Sequence, residues 1–171
     1  MKSISSSLVA AALFAATMPA QAQQRPYAEG QAPAPKAVGD PLQTIYRVSG
    51  VRDNGGGANS GTATSFHCTN LSNVDETIKI TLWQFNGGKI TDASETISKN
   101  QTFTASTHDT RGFIEDRFLS RGIEIKQGSA RISATTTNLI CSAMIVDASV
   151  AFPEGIALHL VRFNPIAATE E

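Results

Sequence analysis

Three histidines are the residues of this chain that are best suited to bind a transition metal. They are His67, His108 and His159. Imidazole nitrogens are ligands for zinc and copper, so three of them would make a site if the fold brought them together. No two of them have the short spacing of a metal-binding motif. We therefore expect no metal site and no cofactor, and we regard these histidines as the candidates if a site exists.

A glycine-rich run over residues 53–61 offers oxygen atoms that could bind a calcium ion. The ligands would be Asp53, Asn54 and Asn59. One carboxylate is few for a cation site, and the spacing matches neither an EF-hand nor a calcium-binding nonapeptide repeat. The run also lacks the lysine of a phosphate-binding loop. We expect a turn between two strands here.

Residues 109–121 combine charged side chains with aromatic ones. Acid–base catalysis would need two carboxylates that face each other across a cleft, which neighbours on one short segment do not provide. We expect the aromatic rings to cover one end of the fold. The alternative is a binding surface, because arginine beside an aromatic ring is typical of interaction hot spots. That surface would comprise Trp83, Arg111, Phe113, Arg117 and Phe118.

Motifs for nucleophilic catalysis are missing from the sequence. There is no Gly-x-Ser-x-Gly, no His-Glu-x-x-His and no Ser-x-x-Lys. The two cysteines, Cys68 and Cys141, form an even pair in a chain that we expect to be exported, which favours a disulfide over free thiols. A bridge that closes a loop of about 70 residues stabilises a fold by roughly 4 kcal/mol. We therefore expect a disulfide and no enzyme activity.

The N-terminus has the three parts of a secretory signal peptide. Lys2 supplies a positive charge, residues 8–18 are apolar, and residues 20–22 read Ala-Gln-Ala, which is a signal peptidase site. The apolar run is much shorter than the roughly 20 residues that span a bilayer. We expect cleavage after residue 22, no membrane insertion afterwards, and a bacterial protein that is periplasmic or secreted.

The rest of the chain divides by composition into three parts. Residues 23–43 are rich in proline, alanine and glutamine, without apolar periodicity, and predict a flexible linker. Residues 44–165 predict a β-sandwich domain. Residues 166–171 end in two glutamates and predict an acidic tail.

The domain has the alternation of half-buried strands. Ile78, Ile80 and Leu82 alternate with polar residues, and Asn86-Gly87 is typical of a hairpin turn. The expected strands span residues 44–51, 62–69, 77–85, 89–97, 101–107, 123–125, 129–136, 138–148 and 156–163. Many short strands separated by turns predict an all-β, two-sheet antiparallel β-sandwich.

One short crossover helix is expected over residues 109–121. Asp109 or Thr110 can cap its start, aromatic and arginine residues recur at helical spacing, and Gly122 follows its end.

The order of Cys68, Trp83 and Cys141 resembles that of an immunoglobulin-like sandwich. The resemblance implies a bridge between two facing sheets with the tryptophan packed against it. Leu139 stands where that family places the tyrosine of its corner motif. Trp83 also breaks the alternation of its strand. Either a bulge turns it into the core, or it lies on the outer face as a contact residue.

The composition restricts the function. A net charge of -1 with 17% charged residues excludes a protein that binds nucleic acid through a general positive charge. We expect a non-enzymatic binding or interaction module whose partner is an unknown protein or small ligand. One alternative is a structural component of the envelope or of an appendage that self-associates through an open sheet edge. A metal-binding protein or an enzyme that uses the histidines is the other alternative.

Overall fold

The computed structural model describes residues 38–164 and 169–170. Within them the chain forms strands and no helix, so none of the described residues belongs to a helix that could cross a membrane. The strands are β1 (Gln43–Asn54), β2 (Thr62–Asn70), β3 (Glu76–Gln84), β4 (Lys89–Ile97), β5 (Thr102–Ser106), β6 (Arg117–Phe118), β7 (Glu124–Ala134), β8 (Leu139–Asp147), β9 (Gly155–Ala157), β10 (Leu160–Asn164) and β11 (Thr169–Glu170). The expected signal peptide and most of the expected linker lie outside the described residues.

The strands are arranged in two sheets. The six-stranded sheet has the order β11-β10-β1-β7-β3-β4, and the five-stranded sheet has the order β6-β5-β2-β8-β9. Every pairing is antiparallel except the short parallel one between β5 and β6. The all-β, two-sheet prediction is confirmed.

A single large core joins the inner faces of the two sheets. The six-stranded sheet contributes Ile80 and Ile132, and the five-stranded sheet contributes Phe66 and Phe103, all with no exposed surface. Each buried side chain of this size contributes roughly 1.5–3 kcal/mol. These residues are the inward members of the alternation, which is why the strand prediction succeeds.

The chain passes from one sheet to the other near its C-terminal end. The expected strand 156–163 is in fact two strands, β9 at the edge of the five-stranded sheet and β10 in the six-stranded sheet. Leu158 and Leu160 both pack against the core, one on each side of exposed His159. A chain that crosses the gap between sheets can direct both leucines inward.

A second, smaller core lies on the outer face of the five-stranded sheet. Ala63, Val146 and Ala148 form it, and the half-buried side chains of Phe113 and Met144 pack against it. Phe113 belongs to the connection between β5 and β7, which we call the covering segment (residues 107–123). Part of the outer face of this sheet is therefore covered by the protein's own chain.

The prediction of a helix over residues 109–121 is wrong, because the described chain has no helix there. The backbone N–H of Asp116 donates to the Thr104 carbonyl at 2.8 Å, and that of Leu119 donates to the Ser106 carbonyl at 2.8 Å. Both acceptors belong to β5, so the segment uses its donors to extend the sheet instead of closing helical turns. The aromatic residues of this segment are there for packing. Phe113, for example, covers the second core.

The disulfide between Cys68 and Cys141 is confirmed. The two cysteines lie directly opposite each other on β2 and β8, so the bridge joins neighbouring strands of one sheet. The resemblance to an immunoglobulin-like sandwich implied a bridge between sheets, with Trp83 packed on it. Because the bridge stays within the five-stranded sheet and Trp83 belongs to the other sheet, the immunoglobulin-like arrangement is not confirmed.

Candidate functional site

Trp83 lies on the outer face of the six-stranded sheet. Ile78, Ile80 and Leu82 of β3 are fully buried in the core, and Trp83 has the opposite parity and is half-buried. The register of β3 against β4 does shift between Leu82 and Trp83. On the other side, however, Trp83 stays in regular register with Ser129 of β7. The bulge therefore does not turn the indole into the core.

Arg131 lies beside this indole. It lies on β7, in register with Thr81 of β3 and Arg47 of β1. Its guanidinium carbon is 5.3 Å from the centroid of the Trp83 ring, which is a cation–π contact. Among the described residues, Arg131 makes no side-chain hydrogen bond or ion pair, and its buried Nε is without a partner. The guanidinium therefore keeps its hydrogen-bonding capacity.

Two lysines and one carboxylate complete the charges around this pair. Lys79 Nζ lies 3.0 Å and Lys89 Nζ lies 2.6 Å from Asp92 Oδ2. The hydrogen bonds from Lys89 and Lys79 hold the pKa of Asp92 below its ordinary value. Cationic groups thus outnumber carboxylates on this part of the sheet.

Hydroxyl groups fill the positions between the charges. Ser49 and Ser129 lie in one cross-strand row with Trp83. Thr81, beneath the longer side chains, is 2% exposed, and its hydroxyl has no hydrogen-bond partner among the described residues. We call this surface the tryptophan face, and it consists of Arg47, Ser49, Lys79, Thr81, Trp83, Lys89, Asp92, Ser129 and Arg131.

The other predicted surface residues do not join Trp83. They belong to the covering segment, on the five-stranded sheet. The Phe113 ring makes an edge contact with His67, with 4.6 Å between ring centroids. Arg117 Nη2 pairs with Glu95 Oε2 at 2.7 Å, and Phe118 lies under the Arg121 guanidinium at 4.1 Å. Arg111 is exposed. The predicted five-residue surface is therefore divided between two sides of the molecule.

The three histidines are not brought together. His67 Nδ1 lies 3.2 Å from the hydroxyl of Thr104. Burial lowers the pKa of His67, and the smaller effect of the Glu115 charge raises it. His159 is exposed in the link between the two sheets. In residues 38–164 and 169–170, no group of three or more histidine, cysteine or acidic side chains could hold a metal.

His108 has a different environment, fully buried beside Asp53. Its Nδ1 is 2.8 Å from Asp53 Oδ2, and its Nε2 is 3.0 Å from the Ser60 carbonyl oxygen. Asp53 also accepts the backbone N–H of Gly55 at 2.6 Å. An open cleft of about 480 Å³ lies beside this pair. Because both ring nitrogens face acceptors within the fold, neither is available to a ligand in the cleft, and the pair serves to join loops.

Glu76 is the remaining buried acid of interest. It begins β3 and is fully buried. Its Oε2 accepts a hydrogen bond from the Thr136 hydroxyl at 2.8 Å, and its Oε1 has no partner among the described residues. Burial raises the pKa of Glu76, against the lowering effect of the hydrogen bonds from Thr136. The ionisation of this buried carboxyl therefore affects the stability of the fold.

Sequence reasoning missed Arg131 and the pair of Asp53 with His108. Arg131 becomes a candidate only when β7 is placed beside β3, and strand order is not visible in the sequence. Comparison with protein family models, curated proteins and solved structures gives no match to this chain. The tryptophan face is therefore identified from this chain's own geometry.

Proposed function

We propose that this chain is an exported, non-enzymatic binding module and that the tryptophan face is its binding surface. The observation that carries the proposal is the pair of Trp83 and Arg131. The only tryptophan of the chain points away from the core. Beside it lies the guanidinium of Arg131, which makes no hydrogen bond or ion pair with the described residues. Tryptophan and arginine are the side chains that contribute most often to binding energy at protein surfaces.

The contrast between the two outer faces supports this choice. The covering segment lies over the outer face of the five-stranded sheet, where Phe113 packs on the second core. On the tryptophan face, the ring contact of Trp83 and the ion pairs of Asp92 join side chains of that same face. A broad surface of strands, which are rigid elements, thus remains for a partner.

The disulfide supports the expected location. Disulfides persist in oxidising compartments such as the periplasm and the extracellular space. The bridge of Cys68 with Cys141 and the signal peptide expected over residues 1–22 therefore agree with each other. We propose a periplasmic or secreted protein on this basis.

Self-association is a second candidate, favoured by an apolar edge. Ile156 on edge strand β9 is 70% exposed, and Phe152 in the preceding turn is 92% exposed. An exposed apolar edge strand can pair with another copy. Light scattering on a size-exclusion column would find an oligomer that Phe152→Ser or Ile156→Lys dissociates. A monomer at all concentrations would exclude this candidate.

Fluorescence tests the binding surface directly, because Trp83 is the only indole in the chain. Its emission is followed while a panel of polymers is added, comprising polygalacturonate, heparin, polyphosphate, single-stranded DNA and neutral dextran. We expect a saturable change with at least one polymer. Arg131→Gln should weaken the response strongly, and Arg111→Gln, at an exposed residue of the covering segment, should leave it unchanged. No response to any polymer, or equal loss in both variants, would overturn the proposal.

A further inference from the structure

We propose that the tryptophan face binds a glycan built from uronic acids, a sugar polymer with one carboxylate on each ring. This inference rests on the proposed function and adds the chemical class of the ligand. It follows from three features of the face: its charge, its single aromatic ring and its hydroxyl groups.

The charge of the face is opposite to that of the chain as a whole. The sequence has a net charge of -1, but Lys79, Lys89 and Arg131 give this face three cationic side chains, against the one carboxylate, Asp92, among the described residues that define the face. A local excess of positive charge attracts an anionic ligand although the protein as a whole does not. The ligand is therefore anionic.

Arg131 is the group best placed to bind a carboxylate. Its guanidinium has no hydrogen bond or ion pair within the described residues and is positioned only by the Trp83 ring. A guanidinium binds a carboxylate through two parallel hydrogen bonds, which are about twice as strong as neutral ones. Both lysines, in contrast, already share Asp92. We therefore assign the carboxylate of the ligand to Arg131 rather than to the lysines.

The uncharged groups of the face match a sugar ring. An indole offers a flat apolar surface with one polar N–H, and a pyranose ring has a flat face of C–H bonds with hydroxyls at its rim. Ser49 and Ser129 lie in the same row as Trp83 and can both donate to and accept from hydroxyls. Asp92 is an acceptor on the same face. Donors and acceptors are therefore mixed around one platform.

A nucleic acid fits this face less well. Proteins that bind single strands stack successive bases on several aromatic side chains along a positive groove. Trp83 is the one aromatic residue that points outward from the four strands of this face, β1, β3, β4 and β7, and the exposed Phe85 lies in the turn after β3. One ring on the strands does not form a row of stacking platforms.

The test compares hexagalacturonate with its methyl ester and with a hexanucleotide, by Trp83 fluorescence and by calorimetry. A chelator is present so that no divalent cation bridges the partners. We expect saturable binding of the acid, weakened by salt, and at least about tenfold weaker binding of the ester, because the ester loses the charge-assisted hydrogen bonds. Arg131→Gln should weaken the binding of the acid by about the same factor, and Arg131→Lys should restore part of that binding. Arg111→Gln, at an exposed residue of the covering segment, should have no effect.

Each other outcome overturns a defined part of the argument. Equal binding of the acid and its ester would exclude a role for the carboxylate. Binding of the hexanucleotide without the acid would overturn the glycan inference and leave the proposed function standing. If no member of this set and no polymer of the wider panel binds, both are overturned.

Discussion

Burial, more than charge pairing, shifts the pKa of two side chains of this protein, Glu76 and His67. Glu76 is fully buried with one oxygen unpartnered, and His67 is half-buried against Phe113. Burial favours the neutral form of both, so it raises the pKa of the acid and lowers that of the base. The two residues therefore affect stability in opposite pH ranges.

Glu76→Gln should make the protein more stable at neutral pH, because a buried glutamine does not ionise. Below the ordinary pKa of 4.5, the carboxyl is protonated in both the folded and the unfolded chain. As the pH rises above 4.5, the unfolded chain loses its proton first, and the free energy of unfolding falls until the folded carboxyl also ionises. In urea unfolding between pH 4 and pH 8, the free energy of unfolding of the variant should increase relative to that of the parent chain as the pH rises. Glu95→Gln, at a partly exposed ion pair, is the control, and parallel curves would contradict the prediction.

His67→Gln should act on the acid side. Above pH 6.5 the imidazole is neutral in both states, and below it the unfolded chain takes up a proton before the folded chain does. The free energy of unfolding of the parent chain should therefore fall faster than that of the variant as the pH decreases from 6.5. The same urea series measures this difference. A difference that does not change with pH would show that His67 is not buried as described.

Thr81→Val should stabilise the fold. The Thr81 hydroxyl is buried without a hydrogen-bond partner among the described residues, which costs roughly 1–3 kcal/mol, and valine has nearly the same shape. We expect a gain of about 1 kcal/mol in thermal or urea unfolding. Thr64→Val is the matched control and should be destabilising, because its buried hydroxyl donates to the Arg52 carbonyl at 2.7 Å. A lower unfolding free energy in both variants would contradict the prediction.

At the scale of elements, the pair of Asp53 and His108 joins three parts of the chain. Asp53 is the last residue but one of β1, and His108 is the second residue of the covering segment. Ser60, whose carbonyl oxygen His108 contacts, lies in the glycine-rich run. The Ser120 hydroxyl also reaches Asp53 Oδ2 at 3.4 Å. This network explains how long loops without regular structure keep a fixed position beside the sheets.

His108→Ala should destabilise the protein by about 3 kcal/mol, because it leaves a buried carboxylate without its partner. In a double-mutant cycle with Asp53→Ala, the double variant should lose less than the sum of the single variants by at least about 1 kcal/mol. Urea unfolding measures all three. Arg121→Ala, which breaks a largely exposed pair with Asp109, is the control and should cost less than about 1 kcal/mol. Additive losses would show that the two residues are not coupled.

The elements differ in how well their sequences predict them. Alternating apolar residues predict most of the longer strands within a few residues, because each of these strands buries one face. The covering segment is different, since its backbone N–H groups donate to β5. No local sequence pattern predicts this pairing. The same limit applies to the site. Trp83 could be singled out by its type and parity, whereas Arg131 and the pair of Asp53 with His108 depend on which distant strands become neighbours.

At the scale of the whole molecule, the disulfide strengthens one sheet. It joins β2 to β8 across 73 positions of sequence, so its covalent link lies within the five-stranded sheet. The sheets are held together by the common core, by the chain that crosses from β9 to β10, and by the bond from the Tyr46 hydroxyl to the Leu139 carbonyl at 2.9 Å.

Replacing both cysteines by alanine should cost about 4 kcal/mol of unfolding free energy, because the unfolded chain regains the freedom of a long loop. Urea unfolding of the double variant measures the loss, in a buffer where the parent chain stays oxidised. The folded variant should keep the Trp83 emission of the parent, since the bridge and the indole belong to different sheets. A changed emission in the folded state would show that the bridge also shapes the tryptophan face.

The strand order also determines when the molecule can assemble. In the six-stranded sheet β1 pairs with β7 and β10, and in the five-stranded sheet β2 pairs with β8, so the first two strands of the domain need partners from its last third. Only the hairpin of β3 with β4 is a long pairing between consecutive strands. Folds dominated by such distant pairings form in milliseconds to seconds. A chain that emerges from its N-terminus must therefore wait, with β1 unpaired until β7 has followed and with β2 paired on one side only until β8 has followed.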